Sequence, residues 1–381
     1  MIKKGLVLII LLIQLNAEAQ SSALAVGDSL FANGNYSKAI KVYEEYSNVK
    51  EVYAKIARAY AAIGNFGEAV ENYKNSVEAN PDDALLKFEY AKLLSRLKKY
   101  KEASVLFEEL IYIDYKNPNY HYQQGVTLEK QRDSTAMNRF MSAYELDNTH
   151  QKAIFKIAKH HLIKRNHEIS HKYIDKGLES YTNNVELISL KAQNYYHQQY
   201  YGKSILWFNK LLDLGEESEF IHEKLSISYA ENSDYEEAII HRKEVLKYNP
   251  KDATSMYVIG GYYQRLNDFE KAETYIKQYL LIQDIDFNKE YRTLGTVLNR
   301  QKKHEEAIKA FQKAVKEDPS DTFTRFIIIR TKDEYYADKD AVIKLYEDFL
   351  AKYKNEPYSK FAEMRLKELK EEQFLNGEKK N

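Results

Sequence analysis

Small residues return about every thirty-four positions along most of this chain, and a fixed period of that length constrains the architecture before any local feature does. Stretches of the form aromatic-x-x-small occur at Tyr36/Ala39, Phe66/Ala69, Tyr100/Ala103, Tyr201/Ser204, Tyr235/Ala238 and Phe269/Ala272. Variants fill the gaps at Asp133/Ala136, His167/Ser170, His304/Ala307 and Asp338/Ala341. From Ala39 to Ala341 the steps are 30, 34, 33, 34, 34, 34, 34, 35 and 34 residues. A second small slot keeps the same time upstream, at Gly27, Ala57, Ala91, Gly125, Ala158, Ala192, Ser226, Gly260 and Gly295.

Between these marks the apolar residues follow helical spacing, as in Tyr291, Leu294 and Leu298, or Ala307, Phe311, Ala314 and Val315. Pro81, Pro250 and Pro319 each fall twelve residues after the small residue of their unit and follow asparagine or aspartate, as helix terminators do. Each unit therefore reads as two helices. Where the two cross, a glycine, alanine or serine lets the backbones approach, while aromatic side chains fill the space between neighbouring pairs. Neither helix buries its apolar stripe alone, so stability must come from stacking neighbour on neighbour. Five prolines and thirteen glycines in 381 residues leave little turn material for an all-β alternative.

The period, the Tyr291-x-x-Leu294-Gly295-x-x-Leu298 first helix and the Ala307-x-x-x-Phe311-x-x-Ala314…Pro319 second helix resemble the tetratricopeptide repeat family. The resemblance implies an all-α superhelical solenoid of about ten hairpins over residues 20–355. Some units depart from its pattern: Arg242 stands where an aromatic residue is expected, and the unit around 134–144 has lost a residue. After the array, residues 356–375 carry Phe361, Met364, Leu366 and Leu369 among many charges, and read as a capping helix followed by a polar tail at 376–381.

Lys3 and Lys4 precede an apolar run from Gly5 to Leu15 and then Ala17-Glu18-Ala19, which predicts a secretory signal peptide over residues 1–19, cleaved before Gln20. The run is too short to span a bilayer, so no integral membrane segment is expected after cleavage, and the mature chain is expected in the periplasm or secreted. No cysteine is present to carry a lipid, a disulfide or a thiolate metal site.

His167-Glu168-Ile169-Ser170-His171 spells the H-E-x-x-H of zinc peptidases. The register gives it another meaning, because it falls on the slots of Tyr235-Glu236-Glu237-Ala238-Ile239 and His304-Glu305-Glu306-Ala307-Ile308, at the start of a second helix. No third ligand motif follows it, as a catalytic zinc would require. With no phosphate-binding loop and no nucleophile elbow either, no catalytic residue, cofactor or metal site is expected. Lysine plus arginine and aspartate plus glutamate both total 57, so nothing biases the chain toward nucleic acid.

Solenoids bind extended ligands on a long concave face, and the family resemblance implies that the first helix of each unit lines it. Carried over by slot, that face presents Phe88, Lys92, Tyr122, Phe155 and Lys159, with Tyr196 one unit on. Rings flanked by ammonium groups suit a peptide with apolar side chains and carboxylates. The expected function is a non-enzymatic protein-interaction scaffold, a component of an envelope complex. The alternative is a periplasmic binding protein for a small molecule or glycan, since many of the thirty-three tyrosines could stack on sugars.

Overall fold

The computed structural model describes residues 24–282, 287–336 and 338–378. The expected signal peptide lies outside the described residues. Within them the chain is all helix and irregular turn, without a strand. It divides into two units, residues 1–190 and 191–381.

In the first unit the helices pair as α1 (24–32) with α2 (Tyr36–Glu44), α3 (Val49–Ala62) with α4 (Phe66–Ala79), and α5 (Ala84–Arg96) with α6 (Tyr100–Ile113). They continue as α7 (Pro118–Lys130) with α8 (Ala136–Leu146) and α9 (Gln151–Ile163) with α10 (His167–Ser180). The division falls within α11 (Val185–His197), which is followed by α12 (Tyr201–Asp213). The second unit then holds α13 (Glu219–Glu231) with α14 (Tyr235–Tyr248), and α15 (Ala253–Arg265) with α16 (Phe269–Ile282). It ends with α17 (Asn288–Arg300) and α18 (His304–Glu317), α19 (Thr322–Tyr335) and α20 (Lys339–Lys352), and a last helix, α21 (Ser359–Glu378). That helix starts after residue 356 and runs past the expected end at 375. Within each unit the main contacts of a helix are with those just before and after it in the chain, so the core is a series of small clusters rather than one centre.

The small slots do what their spacing demands. All nine first-helix slots, from Gly27 to Gly295, are buried. At three crossings a serine ties the two slots together: the hydroxyls of Ser170 and Ser204 donate to the carbonyls of Ala158 and Ala192, at 3.0 and 3.2 Å. In the third the roles reverse, with Ser226 donating to Ala238 at 2.8 Å. A hydroxyl can replace a methyl at this seam because a carbonyl on the facing helix satisfies it. His167 opens α10, so the peptidase-like spelling is the first turn of a second helix, with Ser170 at the crossing. Ala341 departs from the pattern. It is exposed while Val342 is buried, because Asp338 caps α20 by accepting from the Ala341 amide and turns that alanine outward.

The turns within the hairpins are equally regular. The nine from α1/α2 to α17/α18 each contain one left-handed residue: Gly34 and Gly64 first, then Lys98, Arg132, Arg165, Gln199, Ser233, Asn267 and Lys302, with φ between 60° and 63° at the seven that are not glycine. At Lys98 the next amide, of Lys99, reaches back to the Leu94 carbonyl at 2.9 Å, which closes α5 in the manner of a Schellman motif.

Adjacent glycines in α15 test this packing with opposite signs. A Cβ on Gly260 would lie 2.8 Å from Ile276 Cγ1 and 3.4 Å from the Ala272 carbonyl oxygen, whereas one on Gly261 meets nothing within 4 Å. Gly260→Ala is expected to cost about 1–3 kcal/mol through overpacking. Gly261→Ala is expected to add roughly 0.5–1 kcal/mol of helix propensity. Thermal denaturation of the two variants against wild type checks both signs.

Candidate functional site

The first helices of the first unit carry five of the six face residues, in two roles. The rings are partly buried and pack into the array. Phe88 on α5 lies 6.1 Å from Phe107 within its own hairpin and 5.5 Å from Tyr120 of the next, against the cluster of Tyr90, Leu94 and Phe107. Tyr122 on α7 sits 5.8 Å from Phe140 and 5.2 Å from the His150 ring, and burial leads the effects that push its hydroxyl above the ordinary tyrosine range. Phe155 on α9 is half-buried.

The lysines stay at the surface. Lys92 Nζ lies 5.4 Å from the centre of the Phe88 ring and Lys159 Nζ 5.6 Å from that of Phe155, each one helical turn along from its ring. Both are exposed, and among the described residues neither forms an ion pair, whereas nearby Lys87 and Lys156 are held by Glu109 and Glu129. A cation over a ring face is stabilised modestly, and its remaining donors stay available to an incoming acceptor.

Tyr196 belongs to the second unit. Its ring is 5.9 Å from Tyr201, and Lys224 of α13 lies 5.2 Å above it, an ammonium–ring pair formed across helices instead of along one. Burial is the first cause of its raised pKa, followed by the proximity of Tyr201 and Glu223.

The second unit also holds a groove of about 530 Å³, outside the six face residues expected from the sequence. Arg292, Thr296, Arg300, Phe323 and Arg330 line it. Arg292 and Thr296 occupy the face slots of their repeat, three before and one after Gly295. Arg292 donates to Asp321 at 3.2 Å and lies 5.8 Å from the Phe323 ring. Arg300 is exposed and, among the described residues, has no ion pair. The signal in the sequence is four arginines in one pair of face-bearing helices, α17 and α19, of which Arg292, Arg300 and Arg330 line the groove.

His167 and His171 belong to no potential metal cluster among the described residues. No helix of the described chain is long and apolar enough to cross a membrane.

Comparison with known families agrees with this register. Family models described as tetratricopeptide repeat match residues 60–124, 224–286 and 291–321. No curated protein matches the chain in sequence. Among solved structures, a tetratricopeptide repeat protein from Parabacteroides merdae is 17% identical, over 66% of this chain and 99% of its own, with a TM-score of 0.46. The C-terminal part of a TPR repeat-containing protein from Cytophaga hutchinsonii is 14% identical, over 62% of this chain and 97% of its own, with a TM-score of 0.49. The MamA protein is 20% identical, over 44% of this chain and 92% of its own, with a TM-score of 0.41. Matches to one repeat in both units, together with paired helices meeting at small residues in the same register, identify the chain as a tetratricopeptide repeat protein.

Proposed function

We propose that this chain is a non-enzymatic scaffold of a bacterial envelope, exported by its amino-terminal signal, that binds an extended protein segment along the concave face of its first helices. The observation that supports this most is the state of Lys92 and Lys159: exposed, set over Phe88 and Phe155, and without a carboxylate partner among the described residues. Ammonium groups set over rings with their remaining donors open to solvent select a segment with acidic and apolar side chains. The groove between α17 and α19, with Arg300 exposed at its edge, adds a second surface of the same sign.

The lysines are better probes than the rings, because Phe88 and Tyr122 also pack the core. A photo-crosslinking residue at position 92 or 159 is expected to capture one partner protein in cells, while the same residue at exposed Glu71 on α4 captures none. Lys92→Glu and Lys159→Glu are each expected to weaken that partner about tenfold, roughly 1.4 kcal/mol, with stability changed by less than about 0.5 kcal/mol. Equal capture at all three positions, or unchanged affinity after both charge reversals, overturns the reading. A rise in melting temperature with glycans in place of protein would favour the small-ligand alternative.

A further inference from the structure

The second unit brings two buried histidines and two carboxylates together at the α13/α14 hairpin. His222 on α13 and His241 on α14 are 4% and 8% exposed. Their Nδ1 atoms are 2.9 Å apart, so one nitrogen carries the proton and the other the lone pair. The Nε2 of His222 points the opposite way and lies 3.1 Å from Glu217 Oε1, just before the Ser218 cap of α13. Glu244 follows His241 by one turn of α14. One oxygen from each carboxylate and one ring nitrogen of His222 all lie within 4.8 Å of one another.

We propose that Glu217, His222 and Glu244 bind a divalent transition-metal ion of the zinc class, with His241 as the residue that positions the His222 ring. His222 Nδ1 is engaged by His241, which leaves Nε2 as the ligating atom. In a four-coordinate zinc site with bonds of about 2.0–2.2 Å, neighbouring ligand atoms are roughly 3.3 Å apart. The Glu217–His222 separation already matches that spacing, and only the partly exposed Glu244 has to draw in. Doing so releases Glu244 from Lys247, a residue 71% exposed on the same helix, and so gives up a solvated pair that contributes little.

The proton accounting closes without a net change. Without metal, His222 Nε2–H donates to Glu217 and His241 Nδ1–H donates to His222 Nδ1. With metal, the His222 proton sits on Nδ1 and is donated to His241 Nδ1, while the His241 proton moves to Nε2. A ligating histidine held through its other ring nitrogen is the usual arrangement at protein-bound metals. Tyr229, stacked on His241 at 5.4 Å and 12°, fixes that second ring in turn. Two carboxylates and one imidazole suit zinc, cobalt or nickel better than calcium, and three protein ligands leave a position for water.

Zinc alone, in equilibrium dialysis against the metal-free full chain, tests the site. One zinc per chain is expected. Glu217→Gln and Glu244→Gln, both in accessible positions, should each weaken binding about tenfold or more, and His241→Phe, which keeps a ring against Tyr229, about 10- to 100-fold. Bound cobalt should show a d–d spectrum that shifts in His241→Phe. His167→Ala/His171→Ala should bind as wild type does. Absence of zinc from the wild-type chain, unchanged affinity in the Glu217→Gln/Glu244→Gln double variant, or loss of binding in the His167→Ala/His171→Ala variant each overturns the proposal. None of these readouts depends on the partner-binding face.

Discussion

Phe311→Ala lowers the stability of the second unit by about 3–5 kcal/mol, the range for removing a fully buried ring. Phe311 is 0% exposed and sits at the centre of a cluster with Ile276, Leu294, Leu298 and Ala307. Its ring occupies the space that Gly295 leaves empty: a Cβ on Gly295 would lie 2.6 Å from Phe311 Cδ1 and Cε1. The two residues are therefore coupled, and a double-mutant cycle should show it. Gly295→Ala is destabilising in the wild-type chain and neutral or stabilising beside Phe311→Ala, with an interaction energy of about 0.5–3 kcal/mol. Because each hairpin leans mainly on its neighbours, hydrogen exchange should report the loss first in α17 and α18, ahead of α13 and α14.

Arg365→Ala loosens α21 on the array, where Ala362 and Leu369 still hold it to α20. Asp333 on α19, 8% exposed, receives Arg365 Nε at 2.7 Å and Lys339 Nζ at 2.9 Å, with the Tyr346 hydroxyl at 3.4 Å. Removing one partner of a buried pair costs about 3–5 kcal/mol, and the low end applies here because Lys339 remains and Arg365 is itself about one-third exposed. The expected readouts are a lower melting temperature and lost amide protection confined to α21. Asp333→Asn in the same chain should recover part of the loss, since it removes the charge left behind.

Acid should act on the same joint. Burial alone would raise the Asp333 carboxyl, but hydrogen bonds from Arg365 and Lys339 outweigh it and hold it below its ordinary 3.8. A depressed folded-state pKa contributes stability that is fully present above the unfolded value and is lost as pH falls through the folded one. Glu273 on α16 has the same sign. Partial burial opposes ionisation there, yet Lys277, Lys303 and Gln301 bring the carboxyl from 4.5 down to about 2. Unfolding monitored between pH 5 and 2 should therefore show stability falling toward acid, with a shallower slope in Arg365→Ala.

What could be read from the sequence was whatever the period repeats. The buried small slots, the helix pairs and the place of His167–His171 all followed from register, because the same close approach recurs at the nine crossings from Gly27/Ala39 to Gly295/Ala307 and permits only a small residue there. Features that occur once were not legible. Ala341 matched the spacing but turned outward, since an aspartate cap at 338 sets the rotation of α20 by a local hydrogen bond that periodicity does not encode. Of the face residues, the spacing could not divide the roles: Phe88 and Tyr122 are partly buried against neighbouring hairpins, while Lys92 and Lys159 remain at the surface. His222 and His241, nineteen positions apart, meet only because the turn at Ser233 folds α14 back on α13.

That turn belongs to a set whose energetics are separable from everything else in the array. Seven hairpins place a side chain other than glycine at a φ near +60°, where an L-residue is held at a cost of about 1 kcal/mol. These positions lie at the hairpin tips, and Lys302 among them also lines the groove between α17 and α19. They work as independent tension screws: glycine at any one tightens that hairpin, and a β-branched residue slackens it, so the rigidity of the scaffold can be graded repeat by repeat.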